Sequence, residues 1–138
     1  MDAVFGYCVG NDVSVRDWQH MTSQIMLGKS FDTHAPFGPW ITTADSIDAS
    51  DLSLVTYVNG EERQKSRTSR MIFDVAAQIE HLSKVMTLEP GDLLFTGTPA
   101  GVAAVMKPPK WLKHGDVVRM EIEGLGHLEN SVMDEAGA

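Results

Sequence analysis

Apolar and polar positions alternate in short runs that glycine and proline repeatedly interrupt, a pattern that predicts strands joined by tight turns. AVFGYCVG, residues 3–10, has the β-branched and aromatic content of a strand, and its glycines let the backbone turn before Asn11. Polar chemistry then crowds GNDVSVRDWQ, residues 10–19, where Ser14 to Met21 predicts a turn of helix with Ser14 as its cap. KSFDTHAPFGPW, residues 29–40, predicts an ordered loop, and PWITTADSI a strand leaving it, with Trp40 in the core. LSLVTYVNGEERQKS alternates around Asn59-Gly60, a dipeptide that accepts the positive φ angles of a two-residue hairpin.

Ile72, Val75, Ala76, Ile79, Leu82 and Met86 recur at helical spacing, which predicts one main helix over about 71–86, capped by Ser69. EPGD, residues 89–92, fits a type II turn, DLLFTG after it reads as a strand, and TGTPAGV as a second glycine-rich strand end. HGD at 114–116 opens a final pair of strands, VVRMEIEG and HLENSV, and MDEAGA is expected to fray. The sum is an α+β chain, mostly β, with one main helix and one domain over residues 1–138.

Composition narrows the function classes. A chain of 138 residues, 43% hydrophobic and 22% charged, matches an ordinary globular domain. A net charge of -8 excludes a general nucleic-acid or anionic-membrane partner, since both need clustered Lys and Arg. No apolar run approaches the roughly 18 residues of a membrane helix and no secretory leader is recognisable, so a soluble, cytoplasmic protein is expected. The single Cys8 has no partner for an internal disulfide and reads as a buried small hydrophobe.

Several chemistries fail on spacing. LGKS ends like a phosphate-binding loop, but Ser23 stands where that motif needs glycine. The histidines at 20, 34, 81, 114 and 127 lack zinc-site spacing. Asp45, Asp48 and Asp51 lack the EF-hand alternation and its glycine, and no GxSxG elbow is present.

GYCVGNDVSVRDWQ, LGKSFDTHAPFGPW, NGEERQKSRTSRMIF, LEPGDLLFTGTPAGV and HGDVVRMEIEGLGHLENSV together resemble, in order, successive motifs of the fumarylacetoacetate hydrolase superfamily over roughly residues 5 to 132. The wording is similar to bacterial acylpyruvate hydrolases and 2-hydroxyhepta-2,4-diene-1,7-dioate isomerases that degrade aromatic compounds. The resemblance implies a mixed β-roll, commonly dimeric, that hydrolyses a C–C bond of a small 1,3-diketo acid or isomerises or decarboxylates a related 2-hydroxymuconate-type diacid. It implies one divalent cation, Mg2+ or Mn2+ with Ca2+ as a third candidate, held by a Glu-x-Glu pair and by the aspartate that corresponds to Asp12. It also gives substrate contacts to Arg16, Gln19, Lys29 and Thr98, with Lys29 and Arg16 in catalytic roles. Asp17, Trp18, Asp32 and Pro36 would support the loop around the site.

The same resemblance exposes a departure. The Glu-x-Glu pair and a lid with His and Glu should lie upstream of Asp12, and neither is present. EER at 61–63 and EIE at 121–123 have acidic spacing but fall in other motifs and read as structural. Asp12 alone would hold a divalent ion weakly. The chain is therefore expected to be the C-terminal part of a catalytic domain, working on a small keto acid as a homodimer or paired with a missing N-terminal portion. The alternative is a catalytically incomplete remnant that serves as an interaction or anion-binding module.

Overall fold

The computed structural model describes residues 1–135; part of the tail expected to fray lies outside the described residues. Among the described residues six strands are formed: β1 (Gly6–Gly10), β2 (Phe37–Thr43), β3 (Ser53–Val58), β4 (Glu61–Arg67), β5 (Val117–Ile122) and β6 (Gly126–Ser131). Two α-helices join them, α1 (Arg16–His20) and α2 (Val75–Ser83). β1 pairs with β2, the remaining strands make a four-stranded sheet in the order β4-β3-β5-β6, and every ladder among the described residues is antiparallel. The class is thus mostly β with few helices, as the pattern predicts.

The turn chemistry explains the register. Asn59 and Gly60 take φ of 52° and 79°, the left-handed pair of a primed two-residue hairpin, and they set Val58 opposite Glu61. Gly91 takes φ of 101° in the EPGD turn, where the Asp92 amide donates to the Glu89 carbonyl. Asn59 also ties the hairpin to β5: its side chain donates to Asp116 and accepts from the Val117 amide.

The core lies between the β1–β2 pair and the four-stranded sheet. Val9 is fully buried there among Leu52, Val58, Val118, Met120 and Leu125. The alternating inward positions of β3 and β5 supply Val58, Val118 and Met120, as a one-sided antiparallel sheet requires. Trp40 does not join them: it lies over Gly126 at the start of β6, where a Cβ would come within 2.7 Å of its ring, and stays 56% exposed.

Four further expectations change. The main helix runs over Val75–Ser83 rather than 71–86, because the Asp74 carboxylate accepts from the Ala77 amide and caps it there. Ser69 instead donates to Asp51 from a short 3-10 turn, Thr68–Arg70. Ser14 does not cap α1: Val15 holds that position, and the Ser14 hydroxyl donates to the Asp12 carbonyl. DLLFTG is not a strand; no neighbouring strand supplies it with a ladder among the described residues.

Candidate functional site

The end of β1 delivers the polar run to one place. The Asn11 amide donates to the Pro36 carbonyl, which pins the loop beyond Gly10 against the start of β2. Asp12 follows in that loop, four residues before α1, so only Arg16 and Gln19 share a helical turn. A 3-10 helix, Ile25–Lys29, packs against α1 at a point where no side chain fits. Gly28 is buried, a Cβ on it would lie 2.6–2.7 Å from Gln19 backbone and Cβ atoms, and its carbonyl accepts from the Val15 amide at 2.8 Å. This close approach sets Lys29 beside the α1 segment. Lys29 Nζ lies 2.5 Å from the Asp12 carboxylate, and Arg16 Nη1 donates to Gln19 Oε1 at 2.5 Å.

Four of the five predicted site residues therefore form two pairs. Gln19 is 7% exposed, whereas Lys29 and Asp12 keep 34% and 40% of their side chains open to solvent. The pairs leave donors to spare. Arg16 has four further N–H groups beyond the one given to Gln19, and Lys29 two beyond the one given to Asp12. Behind them Trp18 meets Phe31 edge-on at 5.7 Å, and Phe31 meets His34 at 5.3 Å, so aromatic packing joins α1 to the loop after Lys29.

Thr98 arrives on a different segment. The irregular segment 92–101 passes the end of β1, where the Phe95 ring covers Gly10 so closely that a Cβ there would lie 2.7 Å from it. Thr98 is exposed and its hydroxyl oxygen accepts from Gln64 of β4. Gly101 crosses the same strand, with its Cβ position 2.0 Å from the Arg63 carbonyl oxygen. The roles of Gly28, Phe95 and Gln64 are not foreseen from the sequence; only the glycines at 10, 28 and 101 mark, after the fact, where chains approach closely.

The donor set can be tested against a divalent ion. Asp12 offers hard carboxylate oxygens, but no group of three His, Cys, Asp or Glu able to hold a metal occurs among the described residues. Glu61 is taken by Lys110 and Arg63, and Glu121 by Arg119, so neither acidic triplet competes for the role. The described residues thus hold one candidate ligand, Asp12, and no complete set. Cys8 is half-buried rather than fully buried as expected, and burial pushes its thiol up, outweighing a backbone hydrogen bond from Gly38. No helix among the described residues is long and apolar enough to cross a membrane.

Comparison with known proteins supplies the remaining context. Residues 1–133 match the family described as Fumarylacetoacetate (FAA) hydrolase C-terminal. An oxaloacetate tautomerase of Xenopus laevis, named as mitochondrial, is 49% identical over 96% of this chain and 43% of its own length. A solved fumarylacetoacetate hydrolase from Exiguobacterium antarcticum superposes with a TM-score of 0.94 at 48% identity, covering 97% of this chain and 48% of that one. A fumarylpyruvate hydrolase from Pseudomonas aeruginosa, solved in complex with Mn2+ and pyruvate, superposes at 0.85 with 34% identity, over 97% and 56%. The chain spans about half the length of the curated relatives it matches.

Proposed function

The chain belongs to the fumarylacetoacetate hydrolase family, and we propose that it supplies one wall of an active site for small 2-keto acids. The observation that carries this reading is that Asp12 pairs with Lys29 and Arg16 with Gln19 on two segments that Gly28 brings into contact. One acidic and two basic side chains, partly open to solvent, are what a doubly charged keto acid and its counter-ion need. The Mn2+ and pyruvate of the Pseudomonas relative and the oxaloacetate of the Xenopus relative supply the substrate class.

In this reading the guanidinium of Arg16 binds a substrate carboxylate through N–H groups that Gln19 leaves unused, and Gln19 holds the fork in plane. Lys29 places an ammonium beside the keto oxygen, where negative charge develops in C–C cleavage, enolisation and decarboxylation alike. Thr98 donates a hydrogen bond to a carboxylate oxygen. Asp12 orients Lys29 and offers oxygens to a divalent ion, Mg2+ or Mn2+, whose further ligands come from protein outside these residues. Bound there, such an ion supplies Lewis-acid polarisation of the substrate oxygens. Hydrolase and tautomerase chemistry reach an enolate by breaking different bonds, C–C after attack of water in one and C–H in the other, and the residues named would stabilise that charge in both.

A second reading has one observation in its favour: with no complete ligand set among the described residues, the chain can serve as an anion-binding module without turnover. A screen of acylpyruvates and oxaloacetate with Mg2+ or Mn2+, run on the chain alone and with the complementary half of a relative, separates the two. The first reading predicts metal-dependent turnover in the combined sample that Asp12→Ala abolishes. Turnover that Asp12→Ala leaves undiminished refutes it.

A further inference from the structure

The Gln64 side-chain nitrogen lies 2.8 Å from Thr98 Oγ1 and 2.8 Å from the Pro99 carbonyl oxygen. A carbonyl oxygen only accepts, so the amide atom facing Pro99 must be the nitrogen, and this chemistry fixes the orientation of the side chain. That nitrogen carries two hydrogens. One goes to Pro99 and the other to Thr98, which is therefore an acceptor toward Gln64. The Thr98 hydroxyl has a single hydrogen of its own, and it is left to donate away from β4.

We infer that Gln64 is a positioning residue that makes Thr98 an obligate donor, aimed at an anionic oxygen of the substrate. The inference rests on the reading of Thr98 as a substrate contact and adds the device that orients it. An unconstrained threonine hydroxyl also samples rotamers that turn its hydrogen elsewhere, and these must be given up when the anion binds. With its acceptor side held by Gln64, the hydroxyl meets the anion hydrogen first. The same segment has a second tether that lacks this property: the Gln78 amide, on α2, donates to the Phe73 and Thr96 carbonyls at 2.8 and 3.2 Å and touches no hydroxyl. Gln78 anchors the segment, whereas Gln64 anchors it and sets a polarity.

The test measures the Kd of pyruvate with Mg2+ present, together with the melting temperature, on the full protein and its variants. Thr98→Val should weaken pyruvate by about tenfold or more, the range of one hydrogen bond to a charged group. Gln64→Glu should weaken it comparably, because a carboxylate only accepts and draws the Thr98 hydrogen toward itself. Gln64→Met should cost less, since it frees the hydroxyl without reversing it. Gln78→Met should lower the melting temperature but leave the Kd unchanged. Adding Gln64→Glu to Thr98→Val should cause no further loss, whereas simple charge repulsion would persist in the double variant.

Pyruvate binding by Gln64→Glu at the wild-type level, with Thr98→Val impaired, overturns the inference. So does a Gln78→Met loss as large as that of Gln64→Glu, which would make anchoring alone responsible. Unchanged binding in Thr98→Val instead removes the substrate contact itself, and with it the reading on which the inference stands.

Discussion

Lys29 and Asp12 meet as charges that are each about a third or more exposed, and such pairs contribute only about 0–1 kcal/mol to stability. Their contact is better understood as placement of an ammonium than as a fastening of the fold. Lys29→Met and Asp12→Ala should therefore shift the melting temperature little while abolishing keto-acid binding; a large drop in melting temperature with binding retained would contradict this. Asp116 is the opposite case. The Asn59 amide, and then the Lys113 backbone N–H, hold its carboxyl below the usual carboxylate range while it joins the β3–β4 hairpin turn to the turn that opens β5. A lowered carboxylate stabilises the fold above the ordinary range, and that contribution is lost as pH falls through the folded value. Melting curves taken downward from neutral pH should show this loss, and Asp116→Asn should flatten the acid limb. The identities of Asp12, Arg16, Gln19 and Lys29 are legible because they stand in short motifs close along the chain. The bond between Gln64 and Thr98 spans 34 residues, and nothing local in the sequence marks it.

Gly28 shows how elements, and not residues singly, assemble the site. It lets the 3-10 helix before Lys29 lie directly on the backbone of α1, so Gly28→Ala forces the two apart. Overpacking of this kind costs about 1–3 kcal/mol. Keto-acid affinity should fall along with stability, unlike in Lys29→Met, and thermal melting paired with ligand titration distinguishes the two patterns. Strands and turns are the most legible elements, because Asn59-Gly60 and the EPGD turn carry their geometry in their residue types. The main helix is legible in existence but not in extent. Ile72 and Met86 fit the helical period, yet they lie beyond its ends and are exposed. Periodicity records that a residue is apolar, not what covers it. DLLFTG is misread for a related reason: it has a strand's composition but no ladder partner among the described residues.

At the scale of the whole molecule, surface is in excess. The accessible area is 9869 Å², against about 7,100 Å² for a compact monomer of 15.1 kDa. Ile72, Phe73, Val85 and Trp111 are each at least half exposed, so part of this excess is apolar. The difference, about 2,800 Å² on this one chain, exceeds one partner's share of an obligate interface of roughly 2,000 Å² in total. Light scattering should accordingly find the chain self-associated or paired with the complementary half of its relatives, and a stable, well-behaved monomer would count against this. The central claim, that residues 12–29 form one wall of a keto-acid site, is tested most directly by titrating pyruvate with Mg2+ into isotopically labelled protein and following its backbone amides by NMR. The account predicts shifts centred on Asp12, Arg16, Gln19 and Lys29 that disappear in Lys29→Met. Shifts centred elsewhere, or unchanged in that variant, would contradict it.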